Sequence, residues 1–298
     1  MTFGLNKLMA AALVTLLAIS LTTPLTAGCG NCHADDNHKW SFELGADVTT
    51  EYWFRGISQG DNNTQGFISQ PYMDATVQLS ETVSANVGIW NSFTSSGSGG
   101  ASGWHEADLY AGLVFSLPND LSMAVTYVSL YGPEGGSEVA QEIDLLFSLD
   151  DSQDGLLSSL GLPFSLNPYA LFAFEISGGS DLGTNEGGYL ELGVEPSVVI
   201  VESEDAPITL SVPLTAGFNL YDYYESPGSE DTFNGGYFDA GLVLSTPLPI
   251  ASNLGAWEMS IGVHLLLLND DAKDISALNG TGNEREQIIG TFGISMSY

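Results

Sequence analysis

The sequence predicts an all-β fold, a transmembrane antiparallel up-and-down β-barrel of twelve strands, and three observations lead to that prediction. After Trp40, stretches of about ten or more residues alternate between polar and apolar side chains. Polar, glycine-rich connections separate them, mostly short after even-numbered stretches and longer after odd-numbered ones. The chain also ends inside such a stretch, on the aromatic residue Tyr298. Long alternating strands with short turns on one side and long loops on the other are typical of outer-membrane barrels.

The composition limits the classes of partner that this protein can bind. The chain of 298 residues has 37 acidic and 5 basic residues, a net charge of -32. Nucleic acid is excluded, because almost nothing is present to neutralise phosphates. The charge instead suits cations or basic solutes. Disorder is also excluded, since 44% of the residues are hydrophobic.

The N-terminus has the outline of a secretory signal. Lys7 supplies the positive region, residues 9–21 the apolar core, and Leu25-Thr26-Ala27 a small-residue cleavage site. The apolar run is short for a membrane-spanning helix. We therefore predict a cleaved signal peptide at 1–27, a periplasmic tail at 28–41 and an outer-membrane barrel at 42–298.

The alternating stretches define the twelve predicted strands. We place them at about 44–57, 67–79, 82–94, 104–117, 121–131, 138–149, 164–177, 187–201, 207–223, 235–247, 256–268 and 285–298. The long connection DDSQDGLLSSLGLP departs from the expected short turn, and its residues 155–163 are the best candidate for a short helix.

Alternation within a strand separates two faces. In AWEMSIGVHLLLL, residues 257, 259, 261, 263, 265 and 267 are apolar, whereas Glu258, Ser260, Gly262 and His264 lie on the other face. A soluble β-sandwich also alternates, but its strands are usually five or six residues long. Aromatic residues at strand ends, as in interfacial girdles, also favour the barrel: Trp104, Tyr131, Phe164, Tyr223 and Trp257.

Only a closed barrel or a helix satisfies backbone groups in lipid, so the apolar faces should contact lipid and the polar faces should line a lumen. The predicted lumen residues include His264 and the acidic residues Asp47, Glu51, Asp74, Glu106, Asp108, Glu142, Asp144, Glu175, Glu191, Glu195, Asp239 and Glu258. Such a wall of carboxylates repels anions and concentrates cations. Alternatively, many of these acids simply solvate strand ends.

Arg55 is the basic residue that we place in this lumen. We expect it at the outer end of the first strand, close to Gln70 across the first hairpin, with Asp74 farther along. It should tie down the base of the first loop and offset crowded carboxylates, or else contact a solute directly.

The last strand, REQIIGTFGISMSY, places a set of apolar residues on one face. A terminal aromatic residue preceded by apolar residues at every second position resembles the recognition signal of the outer-membrane assembly machinery. The predicted partners are therefore that machinery and outer-membrane lipids, and a homo-oligomer stays open. The signal residues are Phe292, Ile294, Met296 and Tyr298.

The first strands resemble a known family. The sequence around Arg55 reads Y-W-F-R-G-I-S-Q, followed by Gln65-Gly66 and then by A-N-V-G-I-W-N-S at 85–92. These residues resemble TorF-like porins of the bacterial envelope, whose opening signature is about Y-x-F-R-G-I-S-Q. The match covers about fifty residues. The resemblance implies an outer-membrane barrel with a transport role and names no solute.

Both cysteines lie in the tail, in the segment Cys29-Gly30-Asn31-Cys32-His33. C-x-x-C-H is the attachment pattern of c-type haem. Against haem, the motif adjoins the cleavage site and no cytochrome-like helices surround it. A lipid anchor on Cys29, a Cys29–Cys32 disulfide, an unspecialised tail and zinc are the alternatives, and zinc would need tighter spacing than usual sites have. We predict neither a cofactor nor a metal.

A barrel enzyme would need a histidine with a carboxylate and a nucleophile. Strand pairing around the 248–255 turn should bring Asp239 close to His264, with Thr291 or Ser295 on the next strand. Hydrogen-bonded histidines that face inward are commoner than catalytic ones, so we expect no enzyme. The sequence favours a porin-like channel for cations or small solutes. The alternative is a non-conducting barrel with a structural or surface-binding role.

Overall fold

The structure, a computed structural model, describes residues 39–59, 68–94, 103–133, 136–151, 164–180, 183–225, 234–250, 252–278 and 284–298. The predicted signal peptide, the cysteine tail and the proposed helix at 155–163 lie outside these ranges. In the described part of the chain no helix is long and apolar enough to cross a membrane.

Strands dominate the described residues. In chain order they are β1 (Trp40–Thr49), β2 (Trp53–Phe54), β3 (Ile57–Ser58), β4 (Ile68–Gln78), β5 (Val83–Thr94), β6 (Gly103–Ser116), β7 (Leu121–Gly132), β8 (Ser137–Leu149), β9 (Tyr169–Gly178), β10 (Gly188–Val194), β11 (Ser197–Val201), β12 (Ile208–Ser211), β13 (Leu214–Tyr221), β14 (Gly236–Leu248), β15 (Ala256–Leu268) and β16 (Glu286–Ser297). A short 3-10 helix (Ser252–Leu254) and the helix α1 (Asp270–Leu278) complete the set.

The strands close into a twelve-stranded antiparallel barrel, as predicted. Consecutive strands pair along the wall, β14 pairs with β15, and β1 closes the barrel against β16. Two wall strands are each interrupted once. β10 continues into β11 across residues 195–196, and β12 continues into β13 across residues 212–213, so four assigned strands make two strands of the barrel.

The two faces of the wall differ as the alternation predicts. Along β15, Met259, Ile261, Val263 and Leu265 are exposed on the outside, whereas Ser260 and His264 are buried inside. Other strands repeat the pattern, and Ile288 of β16 is 71% exposed. The resulting outer surface is apolar around the barrel. The exposed outward residues include Met73, Val87, Leu109, Leu192, Phe238, Leu242 and Phe292.

The first predicted strand is wrong at its C-terminal end. It was expected to run to residue 57, but β1 ends at Thr49, where it still pairs with Ile68 and Thr291. Thr49 Oγ1 then donates to the carbonyl of Glu51, and the chain leaves the wall. The residues that follow form the separate two-stranded sheet of β2 and β3.

Candidate functional site in the barrel lumen

The segment from Tyr52 to Ser58, called the lumen hairpin below, is almost completely buried inside the barrel. Its two short strands pair Trp53 with Ser58 and Phe54 with Ile57. The turn residues Arg55 and Gly56 both have positive φ, at 47 and 78 degrees. Positive φ at both central positions is the requirement of a type I′ turn, which suits a two-residue β-hairpin.

The turn of the lumen hairpin fits closely against the opposite wall. A side chain at position 56 would lie 2.8 Å from Cδ1 of Tyr237, so only glycine fits between the hairpin and β14. Tyr224 Oη donates to the carbonyl oxygen of Arg55 at 2.7 Å. The tip of the hairpin is therefore held by side chains from the opposite wall.

Arg55 pairs with the wall and not with its own neighbouring strand. Its Nη1 and Nη2 donate to Oε1 and Oε2 of Glu142 at 2.8 and 2.9 Å, a bidentate pair. Nη1 also donates to the hydroxyl of Tyr223 at 2.6 Å, and Asp144 Oδ2 lies 3.7 Å from Nη2. The expected position near Gln70 is wrong. Asp47 faces Gln70 in the register instead, because β1 ends before Arg55.

Aromatic rings enclose the guanidinium. Its carbon lies 4.7 Å from the ring centre of Tyr189, 4.8 Å from that of Phe54 and 5.3 Å from that of Tyr223. At these distances the negative faces of the rings attract the cation. Arg55 is thus a buried cation held by two carboxylates and three rings.

Further contacts attach the hairpin on each side. Tyr52 Oη donates to Glu106 at 2.6 Å, and Trp53 Nε1 donates to Glu51 at 2.8 Å. On the other side, the N–H of Ser58 donates to Ser276 Oγ of α1, and that hydroxyl donates to the carbonyl of Gly56, both at 3.3 Å. The hairpin is therefore wedged between the β6 wall and α1.

A group of tyrosines surrounds Glu191 farther along the wall. Tyr169 donates to Oε1 at 2.8 Å, while Tyr189 and Tyr237 both donate to Oε2 at 2.7 Å. The hydroxyls of Tyr189 and Tyr237 also lie 2.9 Å apart. Charge-assisted hydrogen bonds of this length fix the carboxylate and the rings that line the lumen beside Arg55.

The structure places the predicted lumen acids on the inner side of the barrel or at its edge. The half-buried ones are Glu51, Glu106, Glu195 and Glu258. The buried ones are Asp47, Asp74, Asp108, Glu142, Asp144, Glu175, Glu191 and Asp239. Glu142, Asp144, Glu106 and Glu191 gather around the hairpin and its wall contacts, whereas Asp47, Asp74, Glu258 and Asp239 lie elsewhere in the lumen.

Asp239 and His264 meet as the strand pairing predicted. Nδ1 of His264 lies 3.0 Å from Oδ1 of Asp239, and both side chains are buried. The ring packs on Gly241, where a Cβ would come within 2.2 Å of it. Nε2 of His264 has no hydrogen-bond partner among the described residues, so neither Thr291 nor Ser295 is hydrogen-bonded to it. The pair links β14 to β15 inside the barrel.

The C-terminal residues alternate as predicted. Phe292, Ile294 and Tyr298 are exposed on the outer face. Tyr298 exchanges backbone hydrogen bonds with Phe42, which ties the end of the chain to β1 at the seam. Their role as an assembly signal stays a prediction. Among the residues that the structure describes, no cluster of three or more His, Cys, Asp or Glu side chains could hold a metal ion.

Sequence reasoning missed the tyrosines of this site. Tyr189 and Tyr237 carried a usable signal, because each lies two positions before a predicted lumen acid and so shares its face. Tyr223 was predicted to lie in the interfacial girdle, and that prediction is wrong: the residue is fully buried beside Arg55. It follows β13 in a loop, where alternation no longer assigns a face. Ser276 belongs to α1, in a connection that was expected to be an irregular loop.

Fold and site together define a closed twelve-stranded β-barrel with an apolar outer surface and an acidic, tyrosine-rich lumen that a hairpin enters. No protein-family model and no curated protein matches the chain. The resemblance to TorF-like porins therefore stays a prediction.

Solved structures match the chain only at low similarity. The NanC porin has 9% identity and a TM-score of 0.47, over 86% of this chain and 98% of that one. LpxR from Salmonella typhimurium has 9% identity and a TM-score of 0.46, over 85% and 99%. OprB from Pseudomonas putida has 7% identity and a TM-score of 0.41, over 87% and 94%.

Proposed function

We propose that the protein is a porin-like channel of the bacterial outer membrane, through which cations or small basic solutes pass passively. The membrane location is supported by the outer surface, because exposed leucine, isoleucine, valine and phenylalanine side chains alternate with buried polar ones along the wall. In a soluble protein a continuous apolar surface of this kind would promote association.

Cation preference follows from the charges of the lumen, the observation that carries the proposal. Acidic side chains from seven wall strands or more face inward, and among the described residues the one lysine or arginine buried with them is Arg55. Glu142 already neutralises that charge. Asp47, Asp108 and Asp239 each keep one buried carboxylate oxygen without a hydrogen-bond partner in the described protein, so acceptors for cations remain along the lumen.

The lumen hairpin favours a second candidate function. Seven consecutive buried residues fill part of the lumen, as they would in a barrel that conducts nothing and serves a structural or surface-binding role. In the channel that we propose, the same hairpin is the constriction that keeps the path narrow.

Planar-bilayer recording of the refolded protein separates the two functions. With a KCl gradient, the wild-type barrel should give single-channel current steps. Its reversal potential should be shifted toward the equilibrium potential of potassium. Asp74→Asn removes a buried lumen charge and should lower the cation preference. Glu81→Gln removes an exposed charge in a short turn and should leave it unchanged.

Two results would refute the channel. A folded barrel that gives no current steps supports the non-conducting role. A reversal potential shifted toward the equilibrium potential of chloride contradicts the proposal that the acidic lumen selects cations.

A further inference from the structure

The guanidinium of Arg55 occupies a cage that the barrel wall supplies. Glu142 comes from β8, Tyr189 from β10 and Tyr223 from the segment after β13. Glu142 and Tyr223 bond to Arg55 directly, and they lie 87 and 168 positions away from it in the chain. A planar fork that meets both oxygens of one carboxylate, flanked by aromatic faces, is the geometry by which proteins recognise a guanidinium group.

The wall groups have partners of their own. The hydroxyl of Tyr223 also lies 2.8 Å from Ser180 Oγ, and the backbone N–H of Ser180 donates to Glu175 at 2.6 Å. Tyr189 donates to Glu191 at 2.7 Å. The aromatic part of the cage is therefore oriented by the wall itself, independently of the hairpin. A preformed site of this kind costs little to fill.

Arg55 leaves part of the cage unused. Asp144 contributes a second carboxylate, 3.7 Å from Nη2, and its Oδ1 is buried with no hydrogen-bond partner in the described structure. Nε of Arg55 is a buried donor without a partner in the described structure, so Arg55 itself is not fully satisfied in the cage. The wall thus offers more negative charge than Arg55 neutralises, and one carboxylate oxygen that its side chain does not bond.

We propose that this cage, formed by Glu142, Asp144, Tyr189 and Tyr223, is a receptor for the guanidinium group of a solute, and that Arg55 occupies it when no solute is bound. The ligand is a small organic cation with a guanidinium group. The inference rests on the proposed channel function in one respect, because the solute has to enter the lumen.

The hairpin is suited to be displaced. Each of its strands has two residues, and such a short ladder contributes little stability of its own. Its position depends on the apolar packing of Trp53, Phe54 and Ile57 and on the cage around Arg55. Hydrogen bonds from Tyr52 and Tyr224, and the two that Ser276 makes with Ser58 and Gly56, hold it as well. A solute that takes the cage removes the strongest of these contacts.

The first experiment measures binding to Arg55→Ala, in which the cage is empty. Isothermal titration of the refolded barrel in detergent uses methylguanidinium chloride as the probe, with methylammonium chloride and urea as controls for charge and for planar shape. Saturable binding of methylguanidinium alone is expected. Adding Glu142→Gln to the variant should weaken that binding at least about tenfold, since the bidentate charged acceptor is lost.

If Arg55→Ala folds poorly, recovery of folding replaces binding as the measurement. Heat-modifiable gel migration reports the folded barrel, and millimolar methylguanidinium should then restore folding of Arg55→Ala but not of the double variant. Equal effects of methylguanidinium and methylammonium, in binding or in rescue, would overturn the proposal.

The second experiment uses the wild-type protein and trypsin, which cleaves after arginine and lysine. Arg55 is buried, whereas the side chain of Arg285 is 57% exposed and provides an internal reference. Methylguanidinium should raise cleavage at Arg55 relative to Arg285, because displacement frees the hairpin. An unchanged ratio at saturating probe would overturn the proposal. A barrel that binds the probe but conducts nothing keeps the receptor and refutes only the channel.

Discussion

Arg55 and Glu142 form an ion pair whose side chains are 5% and 1% exposed. Removing a charge from water is costly, and the cost is recovered only where the partner and the hydrogen bonds are well placed. The bidentate geometry and the hydroxyl of Tyr223 meet that condition. The pair therefore stabilises the fold most when both partners are present. Loss of one partner leaves the other as an unpaired buried charge.

Glu142→Gln should release the lumen hairpin. The substitution keeps the shape of the side chain but removes the charge, and breaking a buried pair in this way costs about 3 kcal/mol or more. Trypsin cleavage after Arg55 should then become about 100-fold faster, because cleavage follows the population of the open form.

Glu138→Gln is the matched control for this experiment. Glu138 lies on the same strand and is exposed, bonded to Ser129 and Gln141. Its variant should be cut at the wild-type rate. Equal cleavage of the two variants would show that the pair does not hold the hairpin.

The lumen hairpin and α1 depend on each other as elements. α1 begins after Asn269, whose Oδ1 accepts from the N–H of Ala272 at 2.8 Å, and it has Asp270 and Asp271 in its first turn. These are standard features of a helix N-terminus. Ala272 and Ile275 are fully buried on the inner face of the helix, in one cluster with Trp53 and Ile57.

Ser276→Ala should loosen the hairpin moderately. It removes the hydroxyl that accepts from Ser58 and donates to Gly56, a loss of about 1 kcal/mol. Cleavage after Arg55 should rise about fivefold, well below the effect of Glu142→Gln. Asp274→Asn, on the exposed side of the same helix, should have no effect. A change in Asp274→Asn as large as that in Ser276→Ala would mean that helix stability, not the hydrogen bond, controls the hairpin.

The sequence predicted the wall elements better than those inside the barrel. Eleven of the twelve predicted strands correspond closely to wall strands, because each has one face in a uniform environment and so alternates strictly. The first strand was extended too far because Tyr52-Trp53-Phe54 is as apolar as a strand, and Arg55-Gly56 was not recognised as a turn. Asn269-Asp270-Asp271 is a sequence typical of a helix N-terminus and could have predicted the start of α1. It was instead interpreted as part of a polar loop.

Considered as a whole, the molecule separates its two environments across one layer of backbone. Outward positions are mostly apolar along the long strands, and inward positions hold the carboxylates, the tyrosines and the hairpin. Alternation predicts which side a wall residue faces. It does not predict which inward residues meet across the lumen, as Arg55 and Glu142 do, because that depends on barrel closure and on where the hairpin turns.

Placing a charge on the outer surface tests whether this barrel spans a membrane. Ile261 lies at the middle of β15 and is 56% exposed. In a lipid-spanning barrel, Ile261→Lys should lower the free energy of unfolding by about 2 to 4 kcal/mol, because the ammonium group would lie near the bilayer midplane. Urea unfolding in phospholipid vesicles, followed by heat-modifiable migration, measures the loss.

Leu254→Lys provides the control, because Leu254 is equally exposed but lies in the short turn before β15. There the charge reaches the interface, and the cost should fall to about 0 to 1 kcal/mol. The difference between the two variants isolates depth in the membrane from hydrophobicity alone. If both variants unfold like the wild type, the apolar outer surface does not face lipid, and the channel proposal loses its foundation.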